Sequence, residues 1–324
     1  MKTRHCLICR TIGKPMRQIT DTLLRPHYNQ NYPQPVPKDI DLGRYTIYRC
    51  PKCLLEWADP MAPGSNPYYT WLTRHPGYYP KDRWEWQLVF QLIPKSKHTT
   101  LLEVGCGSGK FLSYCLDHGI KATGIDTTKE SVVAAKEQKL NAVCLSLEQY
   151  CKSTTKKYDY IVAFHLLEHV SDPVGLIKQM TSLLKPNGRI FLSTPYITAN
   201  FQSQWFDYLN YPPHHLTRWN IASYRRLAKL LHLELKAYMP LAARRTPYQR
   251  LINQLKLTAA GPALLPTLTR SRFARFLLAH PSVIVREIFA EVSRERIDLN
   301  LPTKQNQLKS QKADYVILIE LSSP

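Results

Sequence analysis

The stretch 99–126, T-T-L-L-E-V-G-C-G-S-G-K-F-L-S-Y-C-L-D-H-G-I-K-A-T-G-I-D, constrains the rest of the chain more than any other. Leu101 to Val104 is a short apolar run that reads as a strand, and Lys110 to His118 has the spacing of an amphipathic helix. Between them Gly105, Gly107 and Gly109 form a turn whose backbone can approach a ligand closely. A second strand, Lys121 to Ile125, ends in an acid, Asp126. This order predicts a βαβ nucleotide-binding half, in which an acid about 20 residues beyond the turn reaches ribose hydroxyls. The turn reads G-x-G-x-G, one residue shorter than the dinucleotide fingerprint, and Glu103 introduces it; both details turn the reading away from NAD.

The pattern continues downstream. Lys129 to Gln138 reads as a helix, Ala142 to Leu145 as a strand, and Tyr158 to Phe164 as a fourth strand leading into H-L-L-E-H-V-S-D-P. Pro173 to Leu184 reads as a helix stopped by K-P-N-G at Lys185 to Gly188, with Arg189 to Thr194 the fifth strand. Asn220 is placed to cap a helix from Ile221 to Leu231, Leu233 to Tyr238 follows as a sixth strand, and Ala313 to Leu321 is a strong last strand. Near-continuous apolar strands alternating with helices predict an α/β fold: a Rossmann-like, doubly wound sheet with ligands beyond the carboxyl ends of its strands.

Four cysteines near the start form two C-x-x-C pairs, Cys6 with Cys9 and Cys50 with Cys53. Two such pairs complete a tetrahedral thiolate site for structural zinc, with no coordination position left for catalysis. The 40 residues between the pairs exceed the usual spacing, and their prolines (Pro26, Pro33, Pro35, Pro37) suggest a looped insertion, with Tyr45 to Arg49 a strand entering the second knuckle. His5 and His27 are read as surface residues. Asp59 to Pro67 is the expected boundary between a zinc-binding domain at 1–60 and a linker with an aromatic helix at 61–98. The aromatic run Tyr68 to Ile93, helical from Lys81 to Leu92, is expected to pack between domains or cover a pocket rather than stack on bases.

The 324 residues carry a net charge of +20, which favours an anionic partner without choosing among nucleic acid, a phosphorylated metabolite and a lipid surface. An N-terminus without an apolar stretch, and the absence of any apolar window near the roughly 18 residues of a membrane span, lead to the expectation of a cytoplasmic protein with reduced thiols.

E-V-G-C-G-S-G at Glu103 to Gly109, G-I-D at Gly124 to Asp126, and H-L-L-E-H-V-S-D-P with L-K-P-N-G-R-I-F-L-S-T-P resemble the motifs of class I S-adenosylmethionine-dependent methyltransferases. The cysteine pairs with R-C-P-K-C-L-L-E-W-A-D-P resemble the zinc-binding front end of bacterial methyltransferases of this group, which includes sugar C-methyltransferases. The resemblance implies a seven-stranded sheet with an antiparallel last strand, a methyltransferase domain at 99–240 plus 313–324, and S-adenosylmethionine as cofactor. It implies that Gly105, Cys106, Gly107 and Gly109 approach the methionine and ribose parts, with Glu103 holding the turn or the amino group. Asp126 would accept the ribose hydroxyls, Ile125 or Thr127 would touch adenine, and Leu147 would offer backbone and side chain to the ring. The family often has Asp where this chain has Ser146, so Glu148 is the substitute for adenine recognition. Phe164 and His165 would line the methionine end, and His169 is expected to be bonded near the cofactor. Related quinone O-methyltransferases bind magnesium at this strand end through an additional acid; with His165 at that position, no catalytic metal is expected.

Tyr196 to Asn220 is polar, aromatic and without periodicity, as expected of a long functional loop on the ligand face. Its paired His214 and His215 are suited to removing a proton from an acceptor hydroxyl. Sugar C-methyltransferases resemble this with E-H at the pair, so only the second histidine carries over. The segment 241–312, with 13 basic and 4 acidic residues, is expected to be a helical insertion before the last strand. Within it, Thr269 to Val292 reads as a lid, a homodimer element or a peripheral contact with anionic membrane. The expected reaction is methyl transfer to a small-molecule acceptor, a nucleotide- or lipid-linked sugar. The alternatives are an RNA methyltransferase, with nucleic acid the less favoured partner, and a non-catalytic S-adenosylmethionine-binding module.

Overall fold

The computed structural model describes residues 4–75, 78, 82–94, 96, 98–196, 208–239 and 316–324. The basic insertion at 241–312, including the 269–292 stretch, lies outside the described residues, as does 197–207.

The chain opens with β1 (Lys14–Thr20), α1 (Asp21–Asn31), β2 (Arg44–Arg49) and β3 (Glu56–Asp59). The stretch expected to loop between the cysteine pairs therefore holds a strand and a helix. Proline composition misleads here because Pro26 is accommodated inside α1. That helix buries Leu24 and Tyr28, and its Arg25 binds Asp21 in the turn before and the Ile40 carbonyl (2.6 Å) in the segment leading to β2. Two helices follow, α2 (Asn66–Thr73) and α3 (Trp84–Leu92). Their aromatic rings face inward: Tyr68, Trp71, Trp84 and Trp86 are all buried, and the Tyr28 and Tyr68 hydroxyls meet at 2.6 Å. The aromatic run is packing, as expected.

The βα alternation then proceeds through β4 (Leu101–Val104), α4 (Lys110–Asp117), β5 (Ala122–Asp126), α5 (Lys129–Glu137), β6 (Ala142–Cys144), α6 (Leu147–Ser153), β7 (Tyr158–Phe164), α7 (Pro173–Ser182) and β8 (Leu184–Pro195). A two-residue strand β9 (Thr217–Arg218), α8 (Ile221–Leu231), β10 (Glu234–Tyr238) and β11 (Val316–Ser322) complete it. Helix α7 ends at Ser182 and β8 begins at Leu184, so K-P-N-G belongs to the strand, not to a helix stop. Helix α6 escaped the sequence reading although its signal was present: Ser146 and Gln149 form a reciprocal capping box.

Seven strands form one sheet in the order β10-β11-β8-β7-β4-β5-β6, with β11 antiparallel to both its neighbours. Alternate residues feed opposite faces. Leu102, Ile161, Ile190 and Ile319 join a cluster with α7 and α8, whereas Leu101, Val162, Phe191 and Leu318 join another with α3 and α4. Burial on both faces is why these strands lack a polar alternation.

A second sheet, β1-β2-β3-β9, draws its last strand from the histidine stretch. Glu56 pairs with Arg218 and Trp57 with Thr217 across the residue-60 position where a domain boundary was expected. The cysteine knuckles share the first hydrophobic cluster with Trp219, Ile221 and Tyr224, so the front end is packed onto the main sheet. No helix among the described residues is long and apolar enough to cross a membrane.

Candidate active site and metal centre

The glycine turn lies at the carboxyl end of β4. Gly105, Gly107 and Gly109 have φ of +77°, +51° and +82°, in the left-handed region that favours glycine. Gly107 has open space where a Cβ would stand, while a Cβ at Gly105 would meet Leu166 Cδ1 at 3.2 Å. The turn is tied down by the Ile125 carbonyl, which accepts from the amides of Gly105 (2.8 Å) and Cys106 (3.0 Å). Asp126 accepts from Gly107 N (2.8 Å) through one oxygen and from Thr128 N (2.8 Å) through the other. A carboxylate offers about four lone-pair positions, so it keeps capacity for two ribose hydroxyls.

Glu103 is buried, its Oε2 has no hydrogen-bond partner among the described residues, and burial with Asp126 nearby raises its pKa well above the ordinary value. An orphaned buried acid beside a turn with room for a ligand fits a group that brings a donor or a positive charge, as the ammonium of S-adenosylmethionine does. Of the residues expected at adenine, Thr127 is exposed beside the turn, whereas Ile125 and Leu147 are buried in the core. Ser146 is spent on the α6 cap, and exposed Glu148 pairs with Lys152 at 2.6 Å. The core role of Ile125 follows from β5 being an inner strand, on which alternate residues must face a helix layer.

The H-L-L-E-H turn after β7 packs against the glycine turn through Leu166. Phe164 stacks edge-on with Phe111 at 4.8 Å. His165, at φ +51°, lies between two acids, with Nε2 3.0 Å from Glu85 Oε1 and Nδ1 3.4 Å from Glu168 Oε1. Burial works against its charge, as does Arg83, yet Glu168 and Glu85 outweigh both and hold its pKa above the ordinary value. Glu85 was not legible as a site residue, because it sits in an aromatic run and meets His165 only through folding.

His169, His214 and His215 converge, with ring centroids 4.5 to 4.8 Å apart. The stretch 211–219, the end of the expected functional loop, is buried throughout and so runs through the interior. It is anchored by Leu216 N (2.8 Å) and Thr217 N (3.1 Å), both donating to the Glu168 carbonyl. His169 Nδ1 lies 2.6 Å from the His214 carbonyl and His215 Nδ1 lies 3.0 Å from Asn210 Oδ1, so each ring donates from Nδ1 and keeps a lone pair on Nε2. Burial lowers the pKa of all three, furthest for His214 and His215. Tyr69 closes one side, its hydroxyl donating to the Pro213 and His214 carbonyls.

At the front end, Cys6, Cys9, Cys50 and Cys53 bring their sulfurs within 4.8 Å of one another. The two knuckles repeat one geometry. The amide after the second cysteine donates to the first cysteine's carbonyl (Arg10 to Cys6, 3.0 Å; Leu54 to Cys50, 3.1 Å). Those two residues share φ of +58°, and the second cysteine's amide points at the first one's sulfur (3.4 and 3.5 Å). Cys6 and Cys53 sulfurs are 3.6 Å apart. Tetrahedral zinc with bonds of about 2.3 Å needs sulfurs about 3.8 Å apart, so the donor set fits structural zinc.

Residues 78–236 match the family model described as a methyltransferase domain. The ubiquinone biosynthesis O-methyltransferase of Coxiella burnetii (strain Dugway) is 37% identical over 119 residues, covering 35% of this chain and 49% of that protein. That of Vibrio vulnificus (strain YJ016) is 31% identical over 112 residues, covering 33% and 47%. The chain thus spans about half the length of the curated relatives it matches. Among solved structures, an S-adenosylmethionine-dependent methyltransferase from Archaeoglobus fulgidus is similar at 18% identity and TM-score 0.43, over 74% of this chain and 92% of that one. A plantazolicin methyltransferase is similar at 16% identity and TM-score 0.42, over 74% and 79%. Residues 78–236 of this chain thus belong to a methyltransferase domain.

Proposed function

We propose that the chain transfers a methyl group from S-adenosylmethionine to a hydroxyl of a small molecule, with a nucleotide- or lipid-linked sugar the favoured acceptor. The observation that carries the reading is the convergence of His169, His214 and His215 at the turn after β7, whose Leu166 lies against the glycine turn. The match to O-methyltransferases of quinone synthesis supports an oxygen acceptor.

When bound, S-adenosylmethionine supplies an electrophilic methyl on a sulfonium, so alignment is the main contribution asked of the protein. Gly107 leaves room for the ligand, Asp126 has lone pairs for ribose hydroxyls, and Glu103 provides the acceptor for an ammonium. The histidine cluster offers neutral imidazole lone pairs and no charged donor, which suits an incoming hydroxyl. His215 Nε2, left open by the Asn210 bond, is the atom to take its proton.

The test is transfer of labelled methyl from S-adenosylmethionine into fractionated cell extract, with His215→Ala as control. Label entering a sugar or sugar-lipid fraction only with the unmodified chain supports the proposal; no label in any fraction overturns it. One feature favours a second reading, an RNA acceptor: the groove between the second knuckle and α8 is lined by Lys52, Arg225, Arg226 and Lys229. Label recovered in RNA, with binding that weakens steeply with salt, would select it.

A further inference from the structure

We infer that His169, His214 and His215 form a second metal site, separate from the four cysteines, that takes one divalent transition-metal ion. Their ligand nitrogens lie within 4.8 Å of one another. An ion held at about 2.0–2.1 Å from each would need nitrogens about 3.3 Å apart, so the rings must close by roughly 1.5 Å on loading. Small rotations of side chains reach that far without moving the backbone.

Two further observations point to a cation. First, the outer shell is in place: the Nδ1 bonds from His169 to the His214 carbonyl (2.6 Å) and from His215 to Asn210 (3.0 Å) fix both tautomers with Nε2 bare. Such bonds orient ligating histidines and raise their basicity. Second, the pocket is rich in acceptors and poor in donors. Among the described residues, His214 Nδ1 and both oxygens of the 1%-exposed Glu168 are buried without a hydrogen-bond partner. His165 relieves part of that carboxylate's charge at 3.4 Å, and Glu168 Oε1 is 4.0 Å from His215 Nε2. A divalent ion among these groups would satisfy the remaining lone pairs at once.

The donor set selects the ion. Three imidazoles suit zinc, cobalt or nickel rather than magnesium, and three protein ligands leave a position open for an exchangeable oxygen. The inference deepens the proposed function: with the ion bound, His215 is a ligand, and lowering the acidity barrier of the acceptor hydroxyl passes from its nitrogen to the cation. Metal binding itself is measured without donor or acceptor, so its failure is distinct from failure of methyl transfer.

The experiment is titration of the tag-free full chain, its cysteine site loaded with zinc, with Co2+ followed by visible absorption and equilibrium dialysis. One additional cobalt per chain is expected, with visible d–d bands and no thiolate charge-transfer band. His169→Ala should lose it, and Asn210→Ala, which spares every ligand, should weaken it roughly 10- to 100-fold. Circular dichroism establishes that each variant is folded; should His169→Ala misfold, the Asn210→Ala affinity decides. No cobalt bound by the unmodified chain, a spectrum showing only thiolate ligation, or an affinity unchanged in folded Asn210→Ala would overturn the site.

Discussion

The salt bridge between β3 and β9 connects the front end to the histidine cluster, and removing it should separate acceptor chemistry from cofactor binding. Arg218 is 4% exposed, lies 3.1 Å from Glu56 Oε2, and covers the Tyr211 ring at 4.1 Å. Glu56 is also 4% exposed and accepts from Arg49 Nε at 2.7 Å. Among the described residues Arg218 Nε and Nη1 have no hydrogen-bond partner, and Glu56 is the acceptor that holds this buried guanidinium. Removing one partner of a buried pair typically costs about 3–5 kcal/mol, because the other charge stays behind uncompensated. With a shift of about 2–4 °C per kcal/mol for a large chain, Glu56→Ala should lower Tm by roughly 6–20 °C. Because β9 begins two residues after His215, turnover should fall at least about tenfold, while S-adenosylmethionine affinity, which we propose is set at the glycine turn, should stay within about twofold. Replacing both charges, Glu56→Ala with Arg218→Met, should recover part of the stability, since an apolar replacement of both partners is often neutral. Differential scanning calorimetry with equilibrium cofactor binding measures both quantities. A Tm within about 1 °C of the unmodified chain, or a cofactor affinity that falls in step with turnover, would refute the reasoning.

Three other outcomes are expected. Asp126→Ala should weaken S-adenosylmethionine binding about 100-fold or more, from two lost hydrogen bonds to a charged group at about 1.5–3 kcal/mol each, read by isothermal titration calorimetry. Gly107→Ala places a methyl in open space at φ +51°, so it should cost about 1 kcal/mol in stability yet weaken cofactor binding at least tenfold; an unchanged affinity means the ligand does not pass there. Glu103 has a raised pKa in the folded state, so its contribution to stability is full below the ordinary carboxylate range and is lost as pH rises through the folded value. Glu103→Gln should therefore raise the Tm of the cofactor-free protein at pH 8 relative to the unmodified chain, with the difference shrinking towards pH 4.5, and should weaken cofactor binding.

Much of the central sheet was legible because its signals are local. Leu101 to Val104 and Tyr158 to Phe164 are strands with the expected limits, and Ile221 to Leu231 is a helix capped by Asn220 as expected. The cysteine pairs were legible for the same reason, since a knuckle is four residues long and carries its own hydrogen bonds. Less legible was whatever depends on distant neighbours. Pro26 inside α1 and K-P-N-G inside β8 both defeat local rules because tertiary pairing outweighs them. Tyr196 to Asn220 reads as a loop because the partners of its described residues lie far away in sequence, such as the Glu168 carbonyl for the Leu216 and Thr217 amides and Glu56 for Arg218.

The sequence by itself determined the class of sheet, the glycine turn, the acid that follows it and the four thiolates, because each is a short-range pattern tied to one backbone geometry. Only the tertiary structure decided that β9 joins the front end to the main sheet, that Glu85 and Glu168 bracket His165, and that three histidines meet around an unsatisfied carboxylate. The long-range parts of those relations span 45 to 162 positions, as from His169 to His214 and from Glu56 to Arg218, and no periodicity or spacing encodes them. They are set by which apolar faces must be buried together, and the polar groups are carried along.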